Sequence, residues 1–207
     1  GDGDLDFVAL VSQEYEEIAA FLNRGEGTFE RRTIKPRSKP SYGSGGIELA
    51  DLDGDNDLDV LYVNGDSLDS NMIKPYHAVQ WLENKGDFPF RYRLIDHVPG
   101  ACRAVAADMD SDGDRDIVVG AWIPPKNSVS SASSDGQFDT LMWFEQKTPG
   151  LFERHSITRA KSLGIMSADI ADLDGDGHPE VIAGHFGQSS PDAESGIEVF
   201  WNPGVRD

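Results

Sequence analysis

Asp51-Leu-Asp-Gly-Asp-Asn-Asp-Leu-Asp59 runs straight into the β-rich stretch Val60-Leu-Tyr-Val63, and the same arrangement recurs along the chain. Asp108-Met-Asp-Ser-Asp-Gly-Asp-Arg-Asp116 precedes Ile117-Val-Val119, and Asp172-Leu-Asp-Gly-Asp-Gly-His-Pro-Glu180 precedes Val181-Ile-Ala183. Carboxylates fall at loop positions 1, 3, 5 and 9, with small or turn-forming residues at 4 and 6. Oxygen ligands at alternate positions of a curled loop can converge on one centre, and Ca²⁺ takes about 6–8 oxygens at roughly 2.3–2.6 Å. Without a cation, so many carboxylates within nine residues would repel one another. Asp and Gly also build plain solvated turns. Three complete copies, each placed just before a strand, argue for a built cation loop instead.

The loop is not an EF-hand, which needs a bidentate Glu at position 12 and flanking helices. Position 12 here is Tyr62, Val119 or Ala183. A further copy opens the chain: Gly1-Asp-Gly-Asp-Leu-Asp6 matches positions 4 to 9, and Phe7-Val-Ala-Leu-Val11 follows as a strand. Asp2, Asp4 and Asp6 would supply only part of a site. The chain is therefore expected to be a piece of a longer protein, and a missing leader says nothing about targeting.

Composition narrows the class. Of 207 residues, 38% are hydrophobic, and 22 Gly with 11 Pro suit short strands and many turns. A net charge of −19 argues against nucleic acid as a partner. No apolar run approaches the roughly 18 residues of a membrane span. The single cysteine, Cys102, excludes an internal disulfide framework and reads as a small buried hydrophobe. Weak modular calcium sites fill at extracellular calcium levels, so an exported location is expected: extracellular, cell-surface or periplasmic.

The rest of each repeat also matches. A second strand-like run ends in a turn at Ile18–Gly25, Val79–Gly86, Leu141–Gly150 and Ile197–Gly204. A third run carries Phe and, five residues on, Ile: Phe29 and Ile34, Phe90 and Ile95, Phe152 and Ile157. A fourth run, such as Gly46–Ala50 or Arg103–Ala107, leads into the next acidic loop. Four short antiparallel strands per unit predict an all-β fold of β-propeller blades, which bury their faces by stacking on neighbours. The unit boundaries are expected near 1–45, 46–102, 103–166 and 167–207, within one partial propeller domain. Ala50, Ala107 and Ala171 suit a crowded inner strand, and Trp81, Trp143, Phe144 and Phe200 suit the contact between blades.

These loops, together with Phe-Leu-Asn-Arg-Gly-Glu-Gly-Thr-Phe at 21–29, resemble the FG-GAP/VCBS repeat family, which includes the N-terminal propeller of integrin alpha chains. The resemblance implies side-chain calcium ligands at Asp51, Asp53, Asp55 and Asp59; at Asp108, Asp110, Asp112 and Asp116; and at Asp172, Asp174, Asp176 and Glu180. Position 7, held by Asp57, Asp114 and His178, would give its backbone carbonyl. Glu180 departs from the family's Asp. The family's literal signatures are only echoed, in Phe186-Gly187 and Gly120-Ala-Trp-Ile-Pro124. Rings of this family have about seven blades. The chain is thus expected to be an open arc of about four blades, completed by missing blades of the same parent protein.

In an antiparallel blade the acidic loops and the Asn-x-Gly turns share one end. The long insertions, Asp66 to Tyr76, Ile123 to Phe138 and Gly187 to Ser195, share the other. Length variation on one face often marks binding, so a protein or glycan ligand is expected opposite the calcium loops. Lys35, Arg37, Lys39, Lys74, Lys126, Arg159 and Lys161 lie at that end. They read first as a solvated loop set balancing the acidic end, with an anion-preferring site as the alternative. No nucleophile elbow, phosphate loop, zinc helix or Cys-x-x-Cys occurs, and the five histidines are scattered. Two functions remain: a non-catalytic calcium-stiffened module for adhesion or recognition, or the propeller part of a secreted carbohydrate-active enzyme such as a polysaccharide lyase.

Overall fold

A computed structural model of the chain describes residues 3–68, 70–125, 136–160, 163–186 and 196–204. Among them every regular element is a β-strand, and every strand pairing is antiparallel. The first sheet comprises β1 (Phe7–Val11), β2 (Glu17–Asn23) and β3 (Phe29–Lys35). The second is a meander of β4 (Gly46–Ala50), β5 (Asp59–Val63), β6 (Val79–Glu83) and β7 (Arg91–Asp96). A third meander contains β8 (Ala101–Ala107), β9 (Asp116–Ile123), β10 (Phe138–Thr148) and β11 (Leu151–Ala160). The last has β12 (Leu163–Ala171), β13 (Glu180–His185) and β14 (Ile197–Phe200). The third and last are joined where Leu163 and Gly164 of β12 pair with Ile123 and Trp122 of β9. Among the described residues no sheet closes into a barrel.

Side chains alternate between the two faces of a strand, and here both faces are covered. Val60 and Tyr62 of β5 pack with Ile18 and Ile34 of the first sheet. Leu61 and Val63, on the other face of the same strand, pack with Ile117, Val119 and Phe144 of the third. The pattern repeats one sheet on: Ile117 and Val119 face backwards, while Val118 joins Ile165, Val181 and Ala183 of the last sheet. This is why β5 and β9, after the aspartate that opens each, are apolar runs, buried along their whole length. The strands farthest along each meander, β3, β7 and β11, mix exposed and part-buried positions instead, apart from Ile34 and Lys35, which are buried at the end of β3. Trp81 is buried between the second and third sheets, as the sequence predicts for an aromatic at a sheet-to-sheet contact.

The sheets approach closely where side chains are small. A Cβ on Gly65, just after β5, would stand 2.0 Å from the Ala101 nitrogen and 2.3 Å from its carbonyl oxygen. Both are backbone atoms and cannot swing away. Gly65→Ala is therefore expected to force the second and third sheets apart and cost about 3 kcal/mol. Gly46→Ala, whose Cβ would meet only the Cys102 carbonyl oxygen at 3.6 Å, should change stability by less than about 1 kcal/mol. Urea denaturation midpoints of the two variants measure the difference.

Candidate metal centre

Each acidic loop is shaped by two left-handed residues. Gly54 and Asn56 (φ 75° and 69°), Ser111 and Gly113 (66° and 98°), and Gly175 and Gly177 (81° and 89°) occupy loop positions 4 and 6. Gly, Asn and other small polar residues tolerate this conformation best. The turns curl the backbone around position 1. Asp51 accepts from the amides of Gly54 (2.8 Å), Asp55 (3.2 Å) and Asn56 (2.9 Å). Asp172 does the same for Gly175 (2.7 Å) and Gly177 (3.1 Å), and Asp108 for Gly113 (3.1 Å). Position 5 accepts from the amide of position 7 in all three loops: Asp55 from Asp57, Asp112 from Asp114, and Asp176 from His178.

Position 9 has a separate task. Asp59, Asp116 and Glu180 are each at most 1% exposed. One oxygen accepts the amide of loop position 2: Leu52 to Asp59 (3.1 Å), Met109 to Asp116 (3.1 Å) and Leu173 to Glu180 (2.8 Å). The other oxygen of Asp59 accepts the amide of Asn84 (2.8 Å), and that of Asp116 the amide of Gln146 (2.7 Å). These donors open the turns that face the acidic loops. The Asn84 side chain completes the joint, giving its N–H to the Leu58 carbonyl (3.2 Å) and accepting from Gly86 (3.0 Å). Asn202 and Gln146 repeat this on the Pro179 and Arg115 carbonyls. Asn23 repeats it on the Leu5 carbonyl, with its amide on Asp6 (2.7 Å).

Three clusters result. One oxygen each from Asp51, Asp53 and Asp59 lies within 4.8 Å of the others, as do those of Asp108, Asp110 and Asp112, and of Asp172, Asp174 and Glu180. Asp57, Asp114, Asp116, Asp176 and His178 stand outside these sets, as does Asp55, whose carboxylate meets Lys85 (3.1 Å). Asp6 is used as a clamp, Asp4 lies in the described part of the opening loop, and Asp2 lies outside the described residues. Buried oxygens without a hydrogen-bond partner remain at Asp53, Asp108 and Asp114. A buried carboxylate oxygen with no donor is costly, so this donor set of hard oxygens fits a hard divalent cation.

One feature was not legible as a site contact. The Lys85 ammonium reaches into the first loop, 2.8 Å from Asp53 and 3.1 Å from Asp55, with Glu83 at 3.0 Å. Its position in the Asn84-Lys85-Gly86 turn, opposite the loop, is the signal that could have found it. At the other end most of the described cations serve their own chain. Lys35 is buried, donating to the Glu16 carbonyl (3.1 Å) and Ser38 (2.7 Å) and lying over the Tyr42 ring. Arg37 meets Glu17 and the Tyr15 ring, Arg159 pairs with Asp139, and Lys74 donates to the Ser41 carbonyl. Lys126, Lys161, and most of the insertions after Ile123 and from Gly187 to Ser195 lie outside the described residues. A polar recess of about 150 Å³ remains at this end, lined by Glu16, Ser41, Gly43, Asp66, Ser70 and Lys74. Cys102 gives its thiol hydrogen to the Gly100 carbonyl, and burial pushes the thiol up to about 12.

This is an all-β, β-propeller-like arrangement of stacked antiparallel sheets. Residues 1–62 match the family model described as an FG-GAP-like repeat. Among solved structures the chain is similar to an Agrocybe aegerita lectin described for its specific recognition of non-reducing terminal N-acetylglucosamine. The TM-score is 0.53 at 18% identity, over 98% of this chain and 47% of that one. The chain thus spans about half the length of that structure. No curated protein matches it.

The loops set a pH response for the metal-free protein. Burial pushes the Asp59 carboxyl up to about 6, against the two amide bonds it accepts. Burial and then the neighbouring Asp112, Asp116 and Asp110 push Asp114 up to about 6. Both lie above the unfolded value of about 3.9. The stability these groups contribute is full below about pH 4 and is lost as pH rises through 6. Glu17 and Glu83, held down by Arg31 and Arg93 respectively, lose their contribution only below the ordinary glutamate range. Burial holds the His77 imidazole down to about 4, which opposes this trend, so the loop contribution is read by substitution: in chelator, Asp114→Asn is expected to raise the melting temperature at pH 7.5 and to change it little at pH 5, read by calorimetry. Asn84→Ala should cost roughly 1–2 kcal/mol at either pH, because it removes both side-chain bonds of the turn.

Proposed function

We propose that this chain is a non-catalytic, calcium-stiffened arc of about four propeller blades from a larger ring, and that the parent protein is an exported recognition or adhesion module. The observation that carries the reading is the threefold cradle: three loops of matching backbone geometry, each converging three carboxylates. Asp51, Asp53 and Asp59, then Asp108, Asp110 and Asp112, then Asp172, Asp174 and Glu180 would hold the ions. When bound, Ca²⁺ would neutralise the cluster and stiffen the loop, a structural role that needs no redox or acid–base chemistry. Ligand recognition belongs at the opposite end, where the polar recess beside Ser41, Asp66 and Lys74 offers both donors and acceptors, with Tyr76 partly exposed nearby. Such a mixture of polar groups and an aromatic ring suits a hydroxylated ligand such as a glycan. The lectin likeness supports a fold able to carry that function.

Calorimetry on the intact protein is expected to show calcium binding, with Mg²⁺ much weaker because that ion demands tight octahedral geometry. Asp110→Ala should remove one site and leave the others. The absence of binding at millimolar Ca²⁺ would sink the reading. The Lys85 ammonium competes with the ion in the first loop alone, so Lys85→Met should tighten that site roughly tenfold at low salt. Chelation should lower the melting temperature by the linked binding free energy. For the ligand, a glycan array on the intact protein is the direct assay, with Asp66→Ala expected to weaken any binding at the recess.

A further inference from the structure

A different cluster lies on the outer strands of the third sheet. In the antiparallel register of β10 and β11, Glu145 stands opposite Glu153 and Trp143 opposite His155. Strand alternation places all four side chains on one face. One ligand atom each from Glu145, Glu153 and His155 lies within 4.8 Å of the others, and His155 Nε2 is 2.9 Å from Glu145 Oε2. The Trp143 ring packs on the imidazole, 4.9 Å between centroids, and limits the directions in which that ring can turn.

The second sheet supplies an internal control for these positions. There Trp81 stands opposite Arg93, and Glu83 opposite Arg91. Arg93 forks onto Glu83 at 2.6 and 3.0 Å and lies over the Trp81 ring, and Arg91 and Lys85 approach the same carboxylate. One carboxylate thus meets three cations. In the third sheet both arginines are replaced, by Glu153 and His155, and among the described lysines and arginines only Lys147 pairs with the two glutamates. Like charges directly opposite on a sheet destabilise it. The exchange removes fixed positive charge and adds a nitrogen and two oxygens suited to a metal ion.

We propose that Glu145, Glu153 and His155 form a site for a divalent d-block cation of the zinc type, separate from the acidic loops. Imidazole nitrogen suits zinc, copper and nickel, whereas calcium takes oxygen. Zinc bonds such ligands at about 2.0–2.2 Å in tetrahedral geometry, which sets the ligand atoms about 3.4 Å apart. Modest rotamer adjustment brings the three atoms to that spacing. The ion displaces the Lys147 ammonium from between Glu145 and Glu153, so the site exchanges one cation for another. Three protein ligands leave the fourth position for water or an anionic group. Trp143, and Ile157 two residues beyond His155, also line an apolar recess of about 240 Å³ shared with Phe200 and Trp201. A group bound to the ion would therefore have an apolar surface beside it.

The test is a Co²⁺ titration of the intact protein with the acidic loops saturated by Ca²⁺, followed by the visible bands of tetrahedral cobalt. One equivalent should bind at micromolar concentration, and Zn²⁺ should displace it. His155→Arg restores the residue type found in the first and second sheets, so it should fold normally, and its melting curve checks this. It should abolish the bands, and Glu153→Gln should weaken binding at least tenfold. Lys147→Met should tighten it. Absence of cobalt bands in the unaltered protein, or bands that persist unchanged in the folded His155→Arg variant, would overturn the proposal.

Discussion

A carboxylate withdrawn from water at the end of each acidic loop is the constraint on which the rest depends. Burying an ionised or polar group costs several kcal/mol unless its oxygens are bonded. Asp59 and Asp116 meet that demand with backbone amides from two directions, the loop itself and the turn that faces it. The bond fixes where the loop leaves the sheet and where the next two strands turn. Asp6 makes the turn-side half of the joint through Asn23, and Glu180, one methylene longer, makes the loop-side half through Leu173. The loop can then aim its remaining carboxylates at one point, because the end of the loop is already anchored.

Stacking supplies the other half of the architecture. A central strand such as β5 is apolar from Val60 to Val63 because alternate residues belong to different cores, one on each side of its sheet. No sheet has a core of its own. The first, second, third and last sheets are held by the contacts between them, so close approach to the backbone of Ala101 at Gly65 and to Ile165 at Gly120 matters as much as side-chain volume. Polar links follow the same route: Glu48 of β4 accepts the Ala106 amide and pairs with Arg103 of β8. Asn202, beyond β14, reaches the Met109 carbonyl of the preceding repeat's loop.

Much of this is written in local patterns. The acidic loops, the small residues at positions 4 and 6, the β-rich runs behind them and the Asn-x-Gly turns are all short-range signals with a backbone cause. The pairing of each loop with a turn follows from antiparallel connectivity alone. What stayed hidden depends on distance in sequence. Lys35 reads as a surface cation beside Arg37, yet it is buried over Tyr42 and Tyr62, where burial pushes its ammonium pKa down. His155 reads as a surface-strand residue, and only the β10–β11 register sets it against Glu145 and Glu153. The split between position 9 and the other loop acids was equally hidden, because burial distinguishes carboxylates that composition treats alike. The link between β9 and β12 rests on two residue pairs across a connection with no pattern of its own.

The central claim is that the buried carboxylates at position 9 clamp loop to turn without metal, while positions 1 and 3 of every loop, joined by Asp59, Asp112 or Glu180, form the cradle. Hydrogen exchange on the chelated protein tests it most directly, amide by amide. The Leu52, Asn84, Met109 and Gln146 amides, bonded to Asp59 and Asp116, are predicted to stay protected after chelation, while those of Asp57 and Asp114 in the exposed loops exchange rapidly. Loss of protection at the four clamp amides upon chelation, in step with the loop amides, would contradict the account, because the joint would then be made by the ion and not by the buried carboxylates.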